Sequence, residues 1–167
     1  SDTSEIAELC SRLGVEFHVK RTGIARVIFD VRKESNPCSL CARMRRGSLH
    51  DLAKEYGVNK LALGHHFDDA AETVMLNLFF EARIGCFSPV TYLSRKDLTM
   101  IRPLLLTEER DIKTFVKKAS LPVMKSPCPM DKTSERAKMK DMLHAFDREH
   151  RGLYTRIVGA VERGGID

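Results

Sequence analysis

Apolar residues recur along the chain at two periods, and the change from one to the other marks out its elements. In residues 2–13, Ile6, Leu9, Cys10 and Leu13 fall at the spacing of one face of an amphipathic helix, with Gly14 as its stop. Residues 15–20 then alternate Val15, Phe17 and Val19 against Glu16, His18 and Lys20, which predicts a strand, and an element before residue 1 would complete that unit. Residues 26–31 carry the β-branched Val27, Ile28 and Val31 and fit either a strand or the continuation of a helix begun at Thr22. Asn36-Pro37 punctuates the chain. From 39 to 56, Leu40, Met44, Leu49, Leu52 and Tyr56 trace a helical face that ends at Gly57.

Residues 58–63 read as a short buried strand, followed by Gly64 and the polar turn His65-His66-Phe67-Asp68. A second helix is predicted over 69–81, with Val74, Met75 and Leu78 on one side. Helix, strand, polar turn and helix is the βα alternation of a parallel α/β sheet, in which ligands sit at the carboxyl ends of strands, so the polar turn is where chemistry is expected. Residues 84–95, rich in Gly, Pro and Ser, read as a loop or mobile flap, and 98–105 as a strand ended or bent by Pro103. Thr107 followed by Glu108, Glu109 and Arg110 predicts a helix start, with the helix running to about Ala119. Pro122, Pro127 and Pro129 keep the next stretch extended and hold Cys128 in a loop, after which 133–146 and 153–161 read as a helical tail. The expected layout is an α/β domain over 1–125, with the cysteine loop and helical tail of 126–167 packing on it.

Composition narrows the classes. The 167 residues, 43% apolar, 31% charged and without Trp, supply a packed core and exclude disorder along the whole chain. No apolar run approaches the roughly 18 to 20 residues of a membrane span, and the first ten residues are acidic and polar, which sets membrane and secretory readings aside. Twenty-eight basic against 23 acidic side chains give a net charge of +5, which favours phosphate-rich partners such as nucleic acid. Five cysteines, an odd number, argue against a disulfide framework and predict reduced thiols in the cytoplasm.

Three features carry candidate chemistry. Cys38-Ser39-Leu40-Cys41 brings two sulfurs within reach of one metal, and fits a redox pair, a zinc site or an iron–sulfur site. Cys128, set between two prolines, is a candidate third sulfur. Three thiolates suit a cluster with one open iron better than a closed tetrahedral zinc, which would have to borrow His50, His144 or an acid. Cys10 and Cys86 read as structural. The second feature is the segment from Gly64 to Thr73, where glycine lets a ligand approach the backbone, Asp68 and Asp69 can hold Mg²⁺ or orient a nucleophile, and the helix start offers amides to an anion. A structural account stands beside it with equal weight: Asp68 or Asp69 as an N-cap, with Glu72 closing a capping box. The third is Arg43, Arg45 and Arg46, directly after the cysteines, either a solvated face or a phosphate-binding cluster, with Lys132, Arg136, Lys138 and Lys140 as a weaker basic extension.

Taken in order, Cys38 to Gly47, Leu61 to Asp69 leading to Glu72-Thr73, Ile101-Arg102-Pro103-Leu104 and Pro127-Cys128-Pro129 resemble the tRNA 2-thiocytidine synthetase family of the PP-loop, or N-type, ATP pyrophosphatases. The resemblance implies a parallel-sheet fold of the adenine nucleotide alpha hydrolase type. It implies an enzyme that adenylates a tRNA base carbonyl with ATP and Mg²⁺, releases pyrophosphate, and lets sulfur displace AMP, the base being cytidine. It further implies a 4Fe-4S cluster held by three cysteines, here Cys38, Cys41 and Cys128. Gly64, His65, Asp68 and Asp69 match the motif lining the ATP site, one aspartate being catalytic or Mg²⁺-associated, and Arg102 faces the same cleft. A sulfur donor such as a cysteine desulfurase and a homodimer follow from the same resemblance. The family's Ser-Gly-Gly-x-Asp-Ser loop has no counterpart here, so the domain is expected to be incomplete at its N-terminus, and Met130 stands where relatives carry a further cysteine. A reading from another class keeps the same cysteines on a structural zinc in a noncatalytic tRNA-binding or assembly module. A third keeps the ATP chemistry and changes the acceptor.

Overall fold

The computed structural model describes residues 2–165. Its contacts divide into two compact units. One holds the chain up to Leu61 with 92–99 and 121–125, and the other holds 62–91, 100–120 and 126 onward.

The first unit contains α1 (Ser4–Arg12), α2 (Ile24–Arg26) with its π-helical continuation Val27–Val31, and α3 (Pro37–Glu55). Residues 26–31 are thus helical rather than extended, and Ile28, the fully buried residue of the π turn, forms this unit's core with Ala53 and Leu98. Pro37 opens α3 at a position where its missing N–H costs nothing. The strand expected over 15–20 does not form: among the described residues nothing completes a ladder with it, and Val15 and Val19 stay exposed. Alternation supplies a face, but a strand also needs a neighbour for its backbone hydrogen bonds.

Three strands, β1 (Lys60–Ala62), β2 (Val90–Leu93) and β3 (Leu98–Ile101), form a sheet in the order β1-β3-β2. The Thr99 N–H donates to the Asn59 carbonyl and the Leu63 N–H to the Ile101 carbonyl, both at 2.9 Å, the staggered pattern of a parallel pair. β2 and β3 are joined through a 3₁₀ turn over Ser94–Lys96, with Asp97 left-handed at φ +47°. The stretch expected as an open flap therefore contains a strand. Its Gly, Pro and Ser residues precede β2, and Val90, Thr91 and Tyr92 have the β-branched and aromatic character that pairing rewards.

The second unit is built on α4 (Phe67–Glu81), against which α6 (Glu135–Glu149) and α7 (Leu153–Arg163) pack. Ala70, Ala71 and Val74 of α4 bury against this pair, and Met139, Leu143 and Val161 complete the core. Small residues on α4 allow the close approach. Ser134 caps α6 by accepting the Ala137 N–H at 3.2 Å, and Asp147 accepts the Leu153 N–H at 2.7 Å, which fixes the corner between the two tail helices. α5 (Glu109–Lys118) begins one residue later than a cap at Thr107 predicts, with Glu108 in the N-cap position.

Candidate functional site

The turn from Gly64 into α4 is organised by reciprocal capping. His66 is the N-cap: its Nδ1 accepts the Asp69 N–H at 3.4 Å, and Asp69 Oδ2 accepts the His66 N–H at 3.0 Å. The box is closed by Asp69, not Glu72, because the N-cap falls on His66 and places Asp69 at the third helical position. With Nδ1 accepting, the ring proton sits on Nε2, 3.4 Å from the Asp69 carboxylate. Asp68 caps a different helix: its Oδ2 accepts the Glu109 N–H at 2.8 Å across 41 residues of sequence and so starts α5. Both aspartates are largely withdrawn from water, and each commits one carboxylate oxygen to a helix terminus.

Beside this turn, Phe87 is held between two cations or potential cations. The His65 ring lies 4.7 Å from it, and the Arg102 guanidinium sits over it at 4.8 Å. Arg102 is 9% exposed and donates through Nη1 to the Ser88 carbonyl and to Thr91 Oγ1, so it fixes the loop ahead of β2. Burial pushes the His65 pKa down. The Asp69 carboxylate opposes this, while the positive charges of Arg102 and Arg136 add to it, so His65 is neutral at physiological pH.

One turn into α4, Glu72 is 2% exposed and pairs through Oε2 with Arg136 Nη1 of α6 at 3.0 Å. Arg136 Nη2 donates to Thr73 Oγ1 at 3.0 Å, and Nη1 lies 3.7 Å from Asp69 Oδ1. Burial raises the Glu72 pKa against the pull of Arg136, and its second oxygen is enclosed without a hydrogen-bond partner. Alongside, Glu109 bridges Lys140 at 2.6 Å and Lys113 at 3.0 Å. Glu109 and Lys113 line a polar cavity of about 580 Å³ whose walls also include Asp68, Asp147, Arg148 and Tyr154. Burial, then the negative charges of Asp68 and Glu72, push the Tyr154 hydroxyl far above its ordinary pKa, so it stays protonated. A second, apolar cavity of about 180 Å³ is lined by Val74, Cys86, Leu105 and Val158. Cys86 is half-buried there with its thiol directed at the Ala70 carbonyl, in keeping with a structural role.

Of the predicted site residues, Gly64, His65, Asp68, Asp69 and Arg102 belong to the second unit, and Cys128 does too. Cys38, Cys41 and the arginines belong to the first. Cys38 and Cys41 lie one turn apart at the start of α3, with Cys38 exposed and Cys41 partly so, a pair of thiol donors suited to zinc or to an iron–sulfur cluster. Cys128 is exposed in its Pro-flanked loop, its N–H bonded to Ser126 Oγ at 3.3 Å. Among the described residues no three His, Cys, Asp or Glu side chains are grouped as a metal site. Arg43 and Arg46 share a face of α3 that Arg45 does not. The partners that sequence reasoning missed are Phe87, Glu109 and Tyr154, together with the buried pairing of Glu72 and Arg136. The one local signal for them is a Glu placed among the buried Ala70, Ala71 and Val74 of α4.

Comparison with known proteins places this arrangement. The PP-loop domain family matches residues 1–145. The tRNA-cytidine(32) 2-sulfurtransferase of Citrifermentans bemidjiense is 39% identical over 140 residues, covering 82% of this chain and 55% of the relative. That of Geobacter metallireducens is 38% identical over 151 residues, covering 89% and 59%. Among solved structures, the U34-tRNA thiolase NcsA from Methanococcus maripaludis with its 4Fe-4S cluster superposes with a TM-score of 0.75 at 26% identity, over 96% of this chain and 54% of that one. The chain spans little more than half the length of these relatives. No helix among the described residues is long and apolar enough to cross a membrane. With a family match over 145 of its 167 residues, the chain belongs to the PP-loop domain family.

Proposed function

We propose that the protein serves in ATP-dependent thiolation of tRNA, with cytidine as the acceptor base. The observation that carries this reading is the 38–39% identity to tRNA-cytidine(32) 2-sulfurtransferases over most of the chain. ATP transfers its adenylyl group to the base carbonyl oxygen with loss of pyrophosphate, and a sulfur nucleophile then adds at that carbon and expels AMP. Gly64 lets the nucleotide approach the backbone, and Asp68 and Asp69 orient it with Mg²⁺ through the oxygens not used in capping. Neutral His65 and Arg102, braced on Phe87, line the same cleft and present a hydrogen-bonding edge and a fixed positive charge. Cys38, Cys41 and Cys128 are the proposed ligands of a 4Fe-4S cluster, which when bound supplies the sulfur for transfer. Arg43 and Arg46 are the members of the basic cluster that we assign to RNA phosphate, with Arg45 as its outlying member.

A cysteine desulfurase is the proposed sulfur source, a homodimer the proposed assembly and the cytoplasm the proposed compartment. The sulfurtransferase and thiolase names of the relatives favour catalysis over a noncatalytic module held by zinc. Nucleoside mass spectrometry of tRNA from cells with and without the gene tests the reading, with 2-thiocytidine expected to disappear in the deletion and return on complementation. Iron and acid-labile sulfide, measured on protein prepared without oxygen, should fall in Cys128→Ala. Unchanged 2-thiocytidine in the deletion, or stoichiometric zinc without iron in the protein, would overturn it.

A further inference from the structure

We propose that one face of α3, running from Arg43 through Arg46, Gly47 and His50 to Lys54, seats the phosphate backbone of the RNA. The inference deepens the tRNA reading and rests on it. At about 100° per residue these five helical positions fall within a sector of roughly 100°, while Arg45 lies about 150° from its middle. Arg43, Arg46 and Lys54 are exposed and enter no ion pair among the described residues. The nearest acids, Asp51 and Glu55, lie about 40° and 80° outside the sector, and each has its own cation, Lys96 at 3.9 Å and Lys20 at 3.7 Å. The face is therefore a run of uncompensated positive charge about 16 Å long, enough for more than one phosphate.

Gly47 supplies an independent observation. It sits inside a 19-residue helix, where glycine costs about 1 kcal/mol relative to alanine, and a Cβ built there meets no atom within 4 Å. Internal packing gives no reason for it, and neither does the backbone, which is not left-handed at this position. Glycine on this face bares the helix backbone to close approach from outside. His50, half-buried beside it, has an enclosed Nε2 without a hydrogen-bond partner among the described residues, and burial together with the charges of Arg46 and Lys96 lowers its pKa, Asp51 opposing. Within the sector there is no large apolar or aromatic side chain to anchor a protein partner, whereas phosphate recognition needs cations and backbone access.

The test is binding of an unmodified tRNA transcript to the full chain over a series of KCl concentrations. Arg43→Gln, Arg46→Gln and Lys54→Gln should each reduce the slope of log K against log salt by about 1 and weaken binding about eightfold at 0.1 M salt. Arg45→Gln should lose less than any of these, and Lys118→Gln on α5 should be indistinguishable from wild type. Gly47→Ala should raise the urea midpoint and yet weaken tRNA binding, two effects of opposite sign that a merely structural glycine would not give. Wild-type binding that all five charge variants weaken equally, or a Gly47→Ala variant that gains stability and keeps full affinity, would overturn the assignment and leave the tRNA reading standing. A wild-type chain that binds no tRNA at any salt concentration would overturn both.

Discussion

Replacing Arg136 by Met isolates the electrostatics of the contact between α4 and α6. Glu72 is 2% exposed, has Arg136 3.0 Å from one carboxylate oxygen, and encloses the other oxygen without a partner. Taking the cation away from a buried pair costs about 3–5 kcal/mol, and because the Arg136 side chain is 45% exposed the screened value expected here is nearer 2 kcal/mol. The loss is also bounded, because an orphaned Glu72 can take up a proton, which at pH 7 costs about 3 kcal/mol from an ordinary value of 4.5. Glu72→Gln keeps the shape and an acceptor for Arg136 while removing the buried charge, so it should cost less than about 1 kcal/mol. In the Glu72→Gln background, Arg136→Met should then lose most of its effect. The sign with pH follows from the raised Glu72 pKa: its protonated form is favoured in the fold, so its contribution is fully present below 4.5 and is lost as pH rises through the folded value. Removing Arg136 raises that value further, so the Arg136→Met penalty should be largest at neutral pH and shrink on acidification. Urea unfolding of the four members of the cycle at neutral and at mildly acidic pH measures this. Additive effects, or an Arg136→Met penalty that does not change with pH, would refute the reasoning.

Asp68→Ala should cost about 1 kcal/mol by uncapping α5, and Asp68→Asn clearly less because its amide oxygen still accepts the Glu109 N–H, as read from urea midpoints. Burial acts to raise the Glu109 pKa, but Lys140 and Lys113 outweigh it and the net shift is downward from 4.5. Glu109 therefore stabilises the fold above its unfolded pKa, with the contribution lost as pH falls through the folded value, and Glu109→Gln should flatten the acid limb of stability against pH. Leu143→Ala, at a position 2% exposed in the core between α6 and α4, should cost about 2–5 kcal/mol in chemical denaturation. His65 should titrate below 6.5 by NMR, burial being the main cause, and Phe87→Ala should bring its midpoint back toward that value by admitting water.

Local periodicity located α1, α3, α4, α6 and α7, which end near Gly or a charged turn, although α1 buries no residue and Leu49, Tyr56 and Leu78 of the expected faces are exposed. It failed where an element depends on a distant neighbour. Residues 15–20 have the alternation of a strand without a ladder partner, and β2 was hidden behind the Gly, Pro and Ser residues that precede it. The α5 start was misplaced because its cap comes from Asp68, 41 residues earlier, rather than from the adjacent Thr107. The same limit applies to the site. The turn from Gly64 to Asp69 was legible as a strand-to-helix junction with paired carboxylates. Its bracing by Phe87, Arg136 and Glu109 comes from three other segments, and no spacing rule connects them. Glu72 fitted a capping box by register alone. The three-position difference between an N-cap at Asp69 and one at His66 turns it from a surface acceptor into a buried carboxylate.

The capping duties of the two aspartates bear on how the turn works. Asp69 closes the α4 box and Asp68 starts α5, so the loop between β1 and α4 is tied at both carboxylates before any ligand arrives. Both carboxylates also lie in the first turn of α4, at the positive end of its dipole, where negative charge is favourable. The Asp69 amide is itself given to His66 Nδ1, so the helix start has one fewer free amide to offer an anion. Alanine at either position removes a cap and a charge together, whereas asparagine removes the charge and leaves an acceptor for the cap. Arg136 completes the logic from the far side: its contacts to Glu72, Thr73 and Asp69 fix the first turns of α4 to α6, so the turn that holds the two aspartates is braced by a tail helix as well as by its own capping bonds.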